Sequence, residues 1–219
     1  MITLPTPIGV ESLASLECEF LAILSNSAHG FTIFLDFDKI SILSCSSVES
    51  SLSQLQPQSV NNRISFSGWV GFFGYEFLAA NLGLSLHAKR DLKVPDGWFG
   101  RPSTIVRISD HGTIIESTDV GREEEIEELA SSAPSLKISD VSFPGKSLAC
   151  NLDFDRYGTI FNQAKQAILD GETYQIKISQ RFEAESKVDP LLAFAKLHQA
   201  NPAPEAFLLQ TPDFSLVSC

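Results

Sequence analysis

Residues Gly171–Phe182 read GETYQIKISQRF. Tyr174, Ile176, Ile178 and Phe182 fall on one side of an alternating pattern, with Gln180 the exception, and Gln175, Lys177, Ser179 and Arg181 fall on the other. A period of two predicts a strand with one face toward a core and the other toward water or a ligand. The polar face carries an amide, an ammonium, a hydroxyl and a guanidinium, a set suited to a small oxygen-rich anion. A half-exposed strand of an antiparallel sheet explains the same pattern without a ligand. Upstream, Asp153 and Asp155 are placed to cap or start a helix. Tyr157, Ile160, Phe161, Ala164 and Ile168 form its expected buried stripe, and Gly171 is its expected C′ residue.

The chain has 219 residues, 43% of them hydrophobic, and a net charge of −11. That is enough apolar material for one large domain or two small ones. The acidic balance argues against a nucleic-acid partner, which needs a basic face. It would also repel an anionic substrate, so an anion site must be local. Cys18, Cys45, Cys150 and Cys219 are scattered, without the spacing of a metal site, and point to a reducing, cytoplasmic compartment. The N-terminus has no signal-peptide pattern, and no run is long enough to span a bilayer, so no membrane association is expected.

In chain order, Leu13, Leu16, Phe20 and Leu24 predict a helix that stops at Asn26–Gly30. Phe31–Asp36 and Lys39–Cys45 read as two strands of a hairpin around Asp36–Lys39. Ser44–Ser59 reads as a loop. Gly68, Gly71 and Gly74, spaced by three among large apolar residues, read as strands or turns where two backbones approach closely. Pro95-Asp96-Gly97 predicts a turn, followed by a loop that carries Arg101, a candidate anion contact. Ser103–Ser109 and Thr113–Ser117 predict a hairpin around Asp110-His111-Gly112. The acidic run from Glu123 to Leu129 predicts a short helix with a solvated face. A Ser-rich stretch with Pro144-Gly145 sets a boundary near residue 148, dividing residues 1–147 from 148–219. Asp189-Pro190 opens a further helix ending near Ala200. On it His198 has no assignable partner. Glu205–Gln210 and Phe214–Cys219 read as strands around a Thr211-Pro212-Asp213 turn.

Three stretches, DRYGTIFNQAKQAILDGETYQIKISQRF, GWVGFFGYE at 68–76 and NPAPEAFLLQ at 201–210, together resemble the chorismate-utilising enzymes. That family includes anthranilate synthase component I and aminodeoxychorismate synthase component I. The resemblance implies an α+β fold of two packed, mainly antiparallel sheets with outer helices, of which this chain supplies about half. It implies chorismate as substrate, Mg2+ as cofactor and a glutamine amidotransferase subunit as the ammonia-supplying partner.

Water-adding members carry a lysine at the second position of the Tyr-Gln pair, here Gln175. An amide cannot take a proton from water, so Gln175 fits an amino-transferring member as the expected catalytic residue. Lys177 and Ser179, on the same face, are expected substrate contacts; Lys177 lies about 6–7 Å farther along the strand. Asn201, Pro202 and Pro204 are candidates for a regulatory pocket. The family's tryptophan-binding Leu-Leu-Glu-Ser motif is matched by Phe34-Leu35-Asp36-Phe37, without the Glu-Ser pair. That tilts the expectation toward the aminodeoxychorismate branch, with anthranilate synthesis or a non-catalytic assembly module as alternatives. The magnesium ligands belong to a later Ser-Pro-Glu region, so none is expected among these residues. No turnover is expected from this chain alone.

Overall fold

The computed structural model describes residues 1–26, 30–56, 63–86, 90–132, 148–185 and 187–219. In chain order the strands and helices are β1 (Ile2–Leu4), β2 (Leu21–Ser25), β3 (Phe31–Leu43), α1 (Val48–Ser53), β4 (Val70–Phe73), α2 (Tyr75–Asn81), β5 (Gly97–Ser109), β6 (Gly112–Ser117), α3 (Val120–Ser131), β7 (Ala149–Cys150), α4 (Phe154–Leu169), β8 (Phe182–Glu183), α5 (Pro190–Ala200), β9 (Phe207–Gln210) and β10 (Ser215–Ser218). A short 3-10 helix covers Val10–Ser15. The class is the expected α+β, and every pairing among the described residues is antiparallel. Contacts divide the chain into two compact units, Met1–Val141 with Asp189–Cys219, and Ser142–Val188. The boundary read near residue 148 falls close to the start of the second unit, and the chain returns to the first at Asp189.

The first unit is built on an eight-stranded sheet in the order β1-β6-β5-β3-β2-β9-β10, with β4 paired to β5. Alternation sorts its residues cleanly. Leu21, Ile23, Ile33, Leu35, Val106, Ile108, Ile115 and Leu208 form one core with Leu13, Ile126, Leu191 and Phe194. Their neighbours Ala22, Phe34, Ile105 and Leu209 form a second cluster with Trp98 and Val70. The predicted hairpin around Asp110-His111-Gly112 is present as β5–β6, with Ser109 opposite Gly112.

The helix expected over Leu13–Leu24 is absent. Leu13 is buried within the 3-10 helix and Leu16 at its end, and Leu21–Ser25 is a strand between β3 and β9. Pairing on both edges outweighs a four-residue coincidence with helical spacing. The hairpin expected at Asp36–Lys39 is instead one 13-residue strand with an irregular register between Phe37 and Lys39. Asp36 sits at φ 52°, a left-handed conformation that a short polar side chain tolerates. Arg122 fastens it, with Nε 2.9 Å from Oδ2 and a terminal nitrogen 3.0 Å from Oδ1. The loop expected after Gly97 is the first half of β5, and Pro102 lies opposite Phe37, where the ladder is already irregular. Arg101, the candidate anion contact, is held by Asp38 of the neighbouring strand at 2.8 and 2.9 Å in a surface ion pair. The loop read at Ser44–Ser59 contains α1; its end, 57–59, lies outside the described residues, as do 27–29 of the Asn26–Gly30 stop and 133–147 of the Ser-rich stretch.

The glycine reading holds at two positions. A Cβ on Gly71 would run into the Trp98 carbonyl, and one on Gly74 into that of Asp96. Gly71 lets β4 lie against the β5 backbone, and Gly74 lets the start of α2 lie against Asp96, just before β5.

In the second unit Asp153 caps α4, its carboxylate accepting from the Arg156 N–H at 2.8 Å. Gly171, at φ 74°, ends it. The Glu172 N–H donates to Ala167 O at 3.0 Å and that of Gly171 to Ile168 O at 3.2 Å, the paired bonds of a Schellman stop. The expected stripe is not buried: no residue of α4 is, and Phe161 and Ile168 are exposed. The strand expected over Thr173–Phe182 is reduced to Phe182–Glu183, paired with Ala149–Cys150. A strand exists only through its neighbour, and among the described residues 173–181 no ladder forms.

Candidate functional site

Gln175, Lys177 and Ser179 are exposed and lie outside any sheet. Irregular backbone does not enforce the alternation that would put them on one face, so the structure does not bring them together as a polar set. The Gln175 backbone carbonyl accepts from Thr173 Oγ1 at 3.2 Å. Gln180, the exception in the apolar row, is held to the fold through its amide, which donates to Leu152 O at 2.9 Å. Arg181 bonds through its N–H to Asn151 Oδ1 at 2.8 Å and pairs with Glu183 at 2.8 Å.

A more enclosed site lies in the first unit. A cleft of about 560 Å³ is bounded by the segment Pro7–Glu11, the end of β5 and one face of α5. The spacing of α5 explains its contribution. Leu191, Phe194, Ala195 and His198 recur at three or four residues and are buried. His198 is thus drawn inward, and its missing partner is found: Nε2 lies 3.2 Å from Ser25 Oγ, at the end of β2. The Phe31 ring meets the imidazole edge-on, with centroids 5.0 Å apart. The i, i+4 relation of Phe194 and His198 is the sequence signal for this placement. The opposite wall is pinned by the Ile8 N–H, which donates to Thr113 Oγ1 at 3.1 Å. Of the three regulatory candidates, Pro202 lines this cleft. Asn201 caps α5, its N–H donating to Leu197 O at 2.9 Å, and both Asn201 and Pro204 are exposed.

Two buried carboxylates are not singled out by the sequence. Glu116 accepts from Arg107 at 2.6 Å and from Ser65 Oγ. Burial pushes its pKa up, but the hydrogen bonds of Ser65 and Arg107 outweigh that and hold it below the ordinary carboxylate value. Glu123, expected on a solvated face, is buried. It accepts from the Met1 ammonium at 2.8 and 2.9 Å and from the Ser117 N–H at 2.9 Å. Here too burial raises the pKa, and the hydrogen bonds of the Met1 ammonium and the Ser117 N–H outweigh it, so the net shift is downward. Both acids brace the sheet. Among the described residues no three His, Cys, Asp or Glu side chains are grouped to hold a metal ion. These residues therefore do not fit a magnesium site. Among the same residues no helix is long and apolar enough to cross a membrane.

The profile of the family described as chorismate binding enzyme matches residues 23–219. The chain belongs to the chorismate binding enzyme family. Among curated relatives of that family, the anthranilate synthase component I-like protein of Synechocystis is 31% identical over 158 residues, covering 69% of this chain and 32% of that protein. Anthranilate synthase component 1 of Mycobacterium bovis is 28% identical over 175 residues, covering 68% and 34%. The crystal structure of anthranilate synthase component I from Streptococcus pneumoniae aligns at a TM-score of 0.59 and 16% identity. That alignment covers 93% of this chain and 50% of the other, and it shows the shared fold. The matches thus take in about a third of the curated chorismate binding relatives and half of the solved one.

Proposed function

We propose that this chain serves as a component I-like protein in the amination of chorismate. The observation that carries this reading is the family match over residues 23–219. In such a reaction ammonia displaces the ring hydroxyl of chorismate, and loss of pyruvate then gives anthranilate. A glutamine amidotransferase partner would deliver the ammonia. Magnesium and the groups that bind the substrate carboxylates would be held by residues beyond those described. The four free cysteines fit a cytoplasmic setting.

The anthranilate product is favoured over aminodeoxychorismate. The tilt toward the latter rests on Asp36-Phe37 standing where a Glu-Ser pair is expected. Asp36 is instead engaged by Arg122 at the irregularity of β3, a contact that serves the fold and says nothing about the product. The Synechocystis and Mycobacterium relatives carry anthranilate synthase names. Gln175 stays a candidate for positioning ammonia or substrate only if residues 173–181 pair with a neighbouring strand. Pro202 is the regulatory candidate best placed to meet a ligand.

The test incubates the purified chain with chorismate, magnesium and an ammonium salt, alone and together with the part of the Synechocystis relative that follows the matched region. Products are separated by chromatography. The expected result is no product from the chain alone and anthranilate from the mixture. Aminodeoxychorismate in the mixture would move the assignment to the other branch. Robust turnover by the chain alone, or none from a mixture shown to associate, would overturn the reading.

A further inference from the structure

The second unit displays apolar surface that its described residues leave uncovered. Helix α4 is capped at both ends, yet Phe154, Phe161, Ile168 and Leu169 are exposed. Beyond Gly171, Tyr174 is 92% and Ile176 42% exposed, although alternation puts both on one side of an extended chain. The ladder that such a chain needs is begun and then stops. β8 pairs with β7 at Phe182 and Glu183. One residue further back, the Asn151 N–H donates to Arg181 O at 3.1 Å and the Arg181 N–H to Asn151 Oδ1 at 2.8 Å. The backbone polar groups of Arg181 therefore point toward β7. In an antiparallel ladder the N–H and C=O of one residue share a side, and successive residues alternate. In a strand continued back from Arg181, the N–H groups of Tyr174, Ile176, Ile178 and Gln180 face the opposite edge. Among the described residues β7 and β8 form a sheet of two strands, and no third strand lies along that edge.

We propose that residues 174–180 become a strand by docking on the open β-sheet edge of a further polypeptide segment. That segment resembles the half of component I that has no counterpart in this chain, and the stripe of α4 packs on the apolar face of the sheet so formed. Two observations choose this occupant. The period of two after Gly171 fits addition to a sheet edge rather than a helical groove. The alignment with the Streptococcus pneumoniae structure covers 93% of this chain, so it takes in most of the second unit, which is about a fifth of the chain. The same alignment leaves half of that relative unmatched, and the unmatched half is the source of the missing edge. The inference rests on the component I-like reading for the identity of the occupant. It adds that Gln175, Lys177 and Ser179 come onto one face only in the docked state, on the side of the sheet away from α4.

The full chain is coexpressed with the part of the Synechocystis relative that follows the matched region and is purified through a tag on the latter. Amide exchange in the complex is compared with that of the chain alone by NMR. The chain is expected to copurify, with exchange slowed at Tyr174, Ile176, Ile178 and Gln180 and less changed at Gln175, Lys177 and Ser179. The Phe161→Glu, Ile176→Glu double variant is expected to cut the recovered complex at least about tenfold, as for residues at the centre of an interface. Ile42→Glu, at an exposed apolar residue of the first unit, is expected to leave it unchanged; both variants are checked for unaltered circular dichroism. These readouts need no chorismate, so docking without product counts against the amination alone. No copurification, protection confined to the first unit, or a complex that survives the double variant would each overturn the proposal. So would protection of these amides in the chain alone that rises with its own concentration, because the occupant would then be a second copy.

Discussion

The sheet of the first unit and helix α4 of the second carry comparably clear sequence periodicities, and they end in opposite states. In the sheet, Ile23, Ile33 and Leu35 are fully buried and Leu208 is nearly so. In α4 the caps are well made at both ends, yet no residue is buried and Phe154 is 89% exposed. Periodicity and capping determine local conformation. Burial needs a second surface, and that surface is contributed by residues distant in sequence. The sheet gains it from β9 and α5, which return to the first unit after Asp189. Hydrophobic stabilisation follows area removed from water, so the two regions should respond to mutation very differently.

The largest effect is expected at Phe194, fully buried beside Phe31 and His198. Phe194→Ala should cost about 3–5 kcal/mol of unfolding free energy, the usual range for an aromatic core truncation. Urea denaturation followed by tryptophan fluorescence measures it. A loss no greater than for an exposed residue would erase the contrast between sheet and helix.

Gly71→Ala comes next. The added Cβ points at the Trp98 carbonyl, which is backbone and cannot swing aside. The β4–β5 pairing must open to make room, at a cost of about 1–3 kcal/mol, as for other overpacked sites. The same denaturation experiment tests it, and an unchanged midpoint would show that β4 is not held against β5.

Acid should act on the first unit through Glu116 and Glu123. Both carboxyls are held below their ordinary value of 4.5 in the folded chain. The stability they contribute is therefore complete above that value and is lost as pH falls through the lower folded-state value. Glu116→Gln removes one of the two titrations. The variant is expected to be less stable than the parent at neutral pH, because Arg107 and Ser65 lose a charged acceptor, and to lose less on acidification. Parallel pH profiles for the two proteins would rule out Glu116 as a contributor.

What can be read from the sequence follows the same division between local and distant causes. The Asp153 and Asp189 caps, the Gly171 stop and the β5–β6 turn depend on a few adjacent residues, and all are present. The long β3 reads as a hairpin because Asp36-Phe37-Asp38 looks like a turn; the strand continues because Arg122, 86 residues on, fastens Asp36. Leu21–Ser25 reads as helix because its strand neighbours do not show in its own residues: one is the nearby β3, the other β9, more than 180 residues away. At the cleft, Pro202 is legible as part of a motif, whereas the seat of His198 depends on Ser25, 173 residues earlier. Gln175 shows the converse. Its alternating surroundings are strong locally, but alternation becomes a strand only where a ladder partner is supplied.

The smallest effect is expected in α4, and it is the sharpest test of the comparison. Phe161 belongs to the apolar stripe of that helix but is half exposed. Truncation at an exposed position away from special features usually changes stability by no more than about 0.5 kcal/mol. Phe161→Ala should fall in that range. Asp153→Ala should cost α4 about 1 kcal/mol, because its carboxylate accepts the Arg156 N–H at the open end. Hydrogen exchange of the amides over residues 154–169 reads both changes on the same helix. The ordering matters most, since a helix held by its own caps feels the loss of a cap more than the loss of an aromatic ring. If Phe161→Ala proved the more damaging of the two, the stripe would have to be packed against something in solution, and α4 would belong with the buried half of the molecule after all.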